Sequence, residues 1–310
     1  MIRVDKLTKD FGTARVVDQI SFEVKKGEVL GFLGPNGAGK STTMKMLTCF
    51  LPPTSGTADI CGFNIRKHPI EVRKNIGYLP ESAPSYQEML VEEFLLFAGE
   101  IRGLTGKMLK NSVEKVLELA ALKDVRYQMI ETLSKGYRQR TCLAQSLIHE
   151  PPVLILDEPT DGLDPNQKHE VRTLIKHLSE QRAVLVSTHI LEEVETICTR
   201  ALIIARGKLV ADGTPEQLMS RSRFHNAVSL TIETSAPDQV SGALKQLAQV
   251  DSVQITRVEN NHLSVQLFPK AGQTLHKQVD QFLREKNMNV LELFVEKGHL
   301  DEVFRQVTTV

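Results

Sequence analysis

The sequence predicts an α/β protein, a parallel sheet covered by helices on both faces, followed by a small α+β domain. Three observations carry this prediction. Up to about residue 220, short apolar runs alternate with loops and helices. One of those runs enters a glycine-rich loop, "GPNGAGKST". Beyond about residue 226 the runs change to polar–apolar alternation. Unbroken apolar runs suit inner strands with both faces covered, whereas alternation marks strands with one wet face.

The elements follow in order. "GEVLGFLG" reads as a strand that feeds the glycine loop, with a helix from Lys40. Segments 88–101, 107–120 and 135–149 read as helices, a helical insertion at about 86–150 between the first and later parts of the sheet. "PPVLILDEP", "RAVLVSTH" and "RALIIARG" supply further inner strands. This domain spans 1–220. The arginine-containing stretch "MSRSRFHN" reads as a solvated linker, placed at 221–226.

The second domain, 227–310, begins with the alternating strand "VSLTIE". A helix bearing Val240, Ala243, Leu244 and Leu247 follows, then strands "VQITRV" and "LSVQL" with Asn260-Asn261 at the turn. A helix bearing Leu275, Val279, Phe282 and Leu283, a strand "NVLELFV" and a helix with Leu300, Val303, Phe304 and Val307 complete it. The order β-α-β-β-α-β matches a ferredoxin-like arrangement with one helix added.

Bulk properties narrow the function. Net charge is zero and no block of like charge occurs, so nothing favours attraction to nucleic acid. No run nears the roughly 18 apolar residues of a membrane span, and the N-terminus lacks a signal-peptide core. The four cysteines form no C-x-x-C pair, so a reduced, cytoplasmic chain is expected.

"GPNGAGKST" is a phosphate cradle. Gly34, Gly37 and Gly39 let the backbone curl its N–H groups around phosphate oxygens, with Pro35, Asn36 and Ala38 completing the loop. Lys40 reaches the β- and γ-phosphates, Ser41 ligates Mg²⁺, and Thr42 adds an α-phosphate contact. Asp157 ends a buried strand at the sheet's C-terminal edge, where it would hold Mg²⁺. Glu158 next to it can orient or deprotonate a water. "TLSKGYRQR" then presents a second anion-holding feature, a helix start with Ser134 and Gly136.

With these residues the chain resembles the ATP-binding subunit of an ABC transporter, of the exporter-type subfamily that includes gliding-motility-type ATPases. The matching elements are "GPNGAGKST" (Walker A), "LSKGY" (signature), "LILDEP" (Walker B), "TDGLD" (D-loop) and "STH" (H-loop). The resemblance implies a P-loop NTPase fold, ATP and Mg²⁺ as ligands, and hydrolysis that drives transport through separate membrane permease subunits. It also explains the two phosphate features. Two copies pack head to tail, so that Ser134 and Gly136 touch the γ-phosphate held by the other copy's Lys40.

Further roles follow from the resemblance. Phe11 stacks on adenine, with an ordinary core phenylalanine as the competing reading. His189 bonds the γ-phosphate and holds the attacking water, and Asp164 crosses to the partner's cradle. Glu81 stands where most relatives have glutamine; it reaches the Mg²⁺ and water and adds negative charge near Asp157 and Glu158. Lys135 and Tyr137 replace the usual glycine and glutamine of the signature. The groove between the Glu81 loop and helix 88–101 would take a permease helix. The other eight histidines read as surface. A competing function is a soluble ABC ATPase acting on nucleic acid or ribosomes, but no heptad run or second ATPase module accompanies it.

Overall fold

Apolar runs and alternating runs do sort into different sheets. The computed structural model describes residues 1–82 and 84–309, and the chain divides into two units, Met1–Pro215 and Glu216–Thr309. Positions 83 and 310, which fall within the expected domains, lie outside the described residues.

The first unit runs β1 (Ile2–Phe11), β2 (Ala14–Val24), β3 (Val29–Leu33), α1 (Lys40–Leu47), β4 (Ser55–Ile60), β5 (Phe63–Asn64), α2 (Pro69–Lys74) and β6 (Ile76–Leu79). The insertion α3 (Val91–Ile101), α4 (Gly106–Leu119) and α5 (Lys135–Leu147) follows. Then come β7 (Val153–Asp157), α6 (Pro165–Ser179), β8 (Ala183–Thr188), α7 (Leu191–Ile197), β9 (Arg200–Ala205) and β10 (Lys208–Gly213).

Strands β9, β3, β8, β7 and β6 form the parallel part of a six-stranded sheet, and β10 is its antiparallel edge. Every residue of β3, β7 and β8 is buried. At roughly 2 kcal/mol per buried aliphatic side chain, Val153 to Leu156 alone hold β7 firmly in place. The carboxylate that ends β7 is therefore positioned by apolar packing.

A second sheet, β2-β1-β4-β5, is antiparallel and has no counterpart in the expected elements. Register shifts in β1 after Val4, Leu7 and Lys9 break its alternation part-way, while Ile20, Phe22 and Val24 of β2 alternate with exposed residues. The two sheets share one core that includes Met44, Met46 and Leu47 of α1, and Phe22 meets Phe32 with ring centroids 5.6 Å apart.

The second unit contains α8 (Pro215–Met219, which spans the division), β11 (Val228–Glu233), α9 (Pro237–Lys245), β12 (Val250–Glu259), β13 (His262–Pro269), α10 (His276–Glu285), β14 (Asn289–Val295) and α11 (Leu300–Thr308). Its strands order as β12-β13-β11-β14, all antiparallel, which is the ferredoxin-like order. Val228, Leu230 and Ile232 point into a core with Val240, Leu244, Val279 and Leu283. Between them on the other face, Thr231 and Ser264 hydroxyls lie 3.1 Å apart. Asn260 and Asn261 both have positive φ, 47° and 63°, as a two-residue hairpin turn requires.

The expected linker at 221–226 is corrected: these residues are part of the second unit. Ser222 Oγ donates to Glu302, Asn226 N–H donates to the Glu296 carbonyl at 3.0 Å, and Phe224 stacks on His299 at 4.5 Å. Arg221 and Arg223 are exposed, but Ser222 is buried and Phe224 half-buried, so a polar-looking string is in fact an anchored turn. Among the described residues no helix is long and apolar enough to cross a membrane.

Candidate active site

The cradle residues occupy the turn from β3 into α1. Gly37 and Gly39 have φ of 79° and 106°, a region that costs a side chain dearly. A Cβ on Gly34 would come 2.5 Å from the Ile204 carbonyl oxygen, and one on Gly39 2.7 Å from that of Val16. The loop is thus pressed against β9 and β2 on its outer side. Lys40, only 6% exposed, donates from Nζ to the Gly34 carbonyl at 2.7 Å and lies 3.8 Å from Glu158 Oε1. Ser41 and Thr42 are half-buried on the first turn of α1.

Opposite the cradle, Asp157 is 1% exposed and accepts hydrogen bonds from Ser41 Oγ at 3.3 Å and from Ser187 Oγ. Ser187 sits opposite Asp157 because β7 and β8 pair in that register. A serine hydroxyl and a carboxylate converging from two elements form the kind of hard-oxygen pair that suits Mg²⁺, which keeps most of its waters. Glu81 follows β6, whose Leu79 pairs with Leu156, so it emerges at the same sheet edge as Asp157 and is exposed.

Glu158 has φ of 51°, a strained value for a non-glycine residue. Its N–H donates to the Ser187 carbonyl at 3.1 Å and to Ser187 Oγ at 3.2 Å, which holds the strained turn. Burial pushes its carboxyl above the usual range, while His189 and Lys40 pull the other way. His189 Nδ1 is 2.9 Å from Glu158 Oε2, and the imidazole is half exposed. Lys40, Asp157, Glu158 and His189 therefore meet at the C-terminal edge of β3, β7 and β8.

Phe11 is 49% exposed, so the core reading fails. Lys9 Nζ stands 5.1 Å from its ring centroid. The strand after its hairpin carries Val16, whose carbonyl abuts Gly39. Ser134, Gly136 and Asp164 are bonded elsewhere. Ser134 Oγ caps α5 by accepting from Tyr137 N–H at 3.3 Å, and the Gln167 side chain lies over Gly136. Asp164 caps α6, accepting from Gln167 N–H at 3.0 Å.

The surface reading of the histidines fails at His149, while His225 and His299 are half-buried as well. His149 is not a surface residue: it is half-buried, 3.1 Å from the Ile76 carbonyl, and burial pushes its pKa down to about 4. The site also contains residues that motif reading passed over, namely Ser187, Thr188, Thr160 and Glu193. The two hydroxyls in "STH" stood beside the chosen histidine and were the available signal.

A family model described as ABC transporter matches residues 17–161. The linearmycin resistance ATP-binding protein LnrL of Bacillus subtilis is 33% identical over 312 residues, covering 99% of this chain and 98% of that one. The chain belongs to the ATP-binding subunits of ABC transporters. The bacitracin transport ATP-binding protein BcrA of Bacillus licheniformis is 32% identical over 306 residues, covering 98% of this chain and 96% of the relative. Both similarities thus extend through the second unit. A solved ATP-binding subunit of an ABC transporter superposes with a TM-score of 0.66 at 29% identity, covering 71% of this chain and 92% of that one. A dimeric ATP-binding cassette in a post-hydrolysis state with ADP and Pi shares the fold, with a TM-score of 0.64 at 22% identity, covering 69% of this chain and 99% of that one. As a member of this family, the chain is an ATP-hydrolysing transport subunit. The rival reading, action on nucleic acid or ribosomes, is not favoured by these relatives.

Proposed function

We propose that two copies of this chain close head to tail around two ATP molecules and reopen on hydrolysis, which drives separate permease subunits. The observation that carries this reading is the convergence of Lys40, Asp157, Glu158 and His189 on one sheet edge beside the glycine loop. The loop's N–H groups and Lys40 bind the β- and γ-phosphates, and Phe11 offers its exposed ring to adenine. Ser41 and Asp157 would hold Mg²⁺, with Glu81 reaching it from the edge. When bound, Mg²⁺ withdraws charge from the phosphate oxygens.

Glu158 takes a proton from the attacking water, and its raised proton affinity makes it the stronger base. His189 exchanges its bond with Glu158 for one to the γ-phosphate and so holds the water in line. Ser134 and Gly136 of the other copy complete the site, and Asp164, exposed with one oxygen spent on its own helix, faces the partner. A C₂ arrangement of this kind buries both nucleotides at once.

The permease contact is assigned to a groove of about 660 Å³ that includes Tyr78, Pro80, Tyr86, Phe94 and Phe97. Docking there would hold the chain on the inner face of the membrane. The exporter-type spelling of the signature, "LSKGY", supports export as the direction of transport. Glu158→Gln tests the core of the reading. It should retain ATP binding, lose at least about 100-fold in turnover, and elute as a dimer in MgATP. A variant that hydrolyses at the wild-type rate, or stays monomeric with and without permease, overturns it.

A further inference from the structure

Beneath the Glu158–His189 pair lies a second acid that the proposed chemistry does not use. Glu193, in the first turn of α7, is 1% exposed. Two threonine hydroxyls donate to its carboxylate, Thr188 Oγ1 at 2.6 Å to one oxygen and Thr160 Oγ1 to the other. Thr188 immediately precedes His189, and its hydroxyl also accepts the Ile190 N–H at 3.0 Å. A single hydroxyl therefore brackets the histidine from both sides. Thr160 lies in the turn after Glu158, where Asp161 N–H donates to the Glu158 carbonyl at 3.2 Å.

Such an acid is costly as a filler. A buried carboxylate needs several compensating bonds before it matches an apolar residue of the same size. Arg172 of α6 is 3.9 Å away, and its Nε and Nη2 are buried without a hydrogen-bond partner among the described residues. The arginine's close partner is Glu192, whose Oε1 accepts from Nη1 at 2.7 Å, so the two hydroxyls make the close contacts to Glu193. Those hydroxyls belong to the loops that carry the base and the histidine.

We propose that Glu193 is a positioning residue that fixes the spacing between the turn after Glu158 and the loop carrying His189. The inference rests on the roles given above to Glu158 and His189. Their mutual bond of 2.9 Å must open when His189 turns to the phosphate. Glu193 keeps the two loops in register through that exchange, because its own bonds are buried and do not take part.

The test compares Glu193→Ala, Glu193→Gln, Thr188→Val and the Glu193→Ala/Thr188→Val pair in the full chain, with Glu158→Gln in parallel. Turnover in saturating MgATP, ATP affinity and melting temperature are measured for each. Glu193→Ala should lose at least about tenfold in kcat with ATP affinity changed less than about threefold, since only alignment is lost. Glu193→Gln keeps an oxygen acceptor and should recover to within about threefold of wild type. The double variant should lose less than the product of the two single losses, because both remove the Thr188–Glu193 bond. Should Glu193→Ala not fold, Glu193→Gln and Thr188→Val decide: the glutamine must be mild and the valine slow in kcat with affinity kept.

Wild-type kcat in Glu193→Ala or in Thr188→Val, a glutamine as damaging as alanine, or losses that multiply in the double variant would each overturn the inference. If Glu158→Gln is inactive while Glu193→Ala is normal, this inference fails and the site assignment stands. If Glu158→Gln turns over normally, the site assignment fails and this inference fails with it.

Discussion

The chain presents two anion-holding features built to very different degrees of completion. The cradle is finished: Lys40 is buried, tied to the Gly34 carbonyl and held near Glu158, with Asp157 bonded to Ser41 and Ser187 behind it. The start of α5 is less finished, with Gly136 buried under the Gln167 side chain. Ser134 and Lys135 are exposed, Ser134 Oγ is spent on its own helix at 3.3 Å, and Lys135 Nζ pairs with Asp161 at 3.2 Å. A phosphate could be bound by the first alone, whereas the second gives only a cap and a surface charge. The difference fits the head-to-tail arrangement proposed above, in which the signature helix would act as the lid of a site whose floor is elsewhere.

The largest expected effect comes from removing the floor. Lys40→Ala should weaken ATP binding at least about 100-fold by calorimetry, because the loop loses its one buried cation. Affinity within a few-fold of wild type would place the phosphates somewhere other than this loop. Removing the lid should act on turnover instead. Ser134→Arg should bind ATP nearly normally yet hydrolyse it poorly as a pure protein.

Mixing separates floor and lid further. Equal amounts of Lys40→Ala and Ser134→Arg chains should recover up to about a quarter of the wild-type rate, since half the pairs are mixed and each mixed pair has one intact site. A mixture no more active than its components breaks the trans arrangement.

Smaller effects test how the lid is anchored. Lys135→Gln removes an exposed ion pair and should shift stability by less than about 1 kcal/mol, read by urea unfolding. A larger loss would mean that the Asp161 contact is structural. Just beyond the far end of α5, His149 is held neutral, with burial the main cause and Arg102 assisting. Its pKa of about 4 lies below the ordinary 6.5, so the unfolded chain binds that proton more readily. Its stabilising contribution is complete above about pH 6.5 and is lost as pH falls toward 4. His149→Gln should flatten that decline in melting temperature, and an unchanged slope would exclude His149 as its source.

Much of this was legible in sequence because it is local. A glycine-rich turn between a strand and a helix needs only contiguous residues, and Asp157 ends its strand wherever that strand lies. The hairpin at Asn260-Asn261 was readable for the same reason. The antiparallel sheet was not assembled from sequence: register shifts interrupt the alternation of β1, and the pairing of β1 with β4 joins residues about fifty positions apart. The turn at 221–226 was misread because its partners, Glu296, His299 and Glu302, lie seventy residues or more further on.

By itself, the sequence determined that a phosphate cradle, an acidic strand end and a second helix start exist, and that a domain of alternating strands follows them. Only the tertiary structure decided that Glu158 meets His189 and Lys40, that Ser187 backs Asp157, and that Glu193 joins Thr160 to Thr188. Backbone conformation at a turn is set by the residues in it. Which strand ends lie side by side is set by the sheet order β3-β8-β7, and that order comes from burying apolar strands against one another across the whole domain.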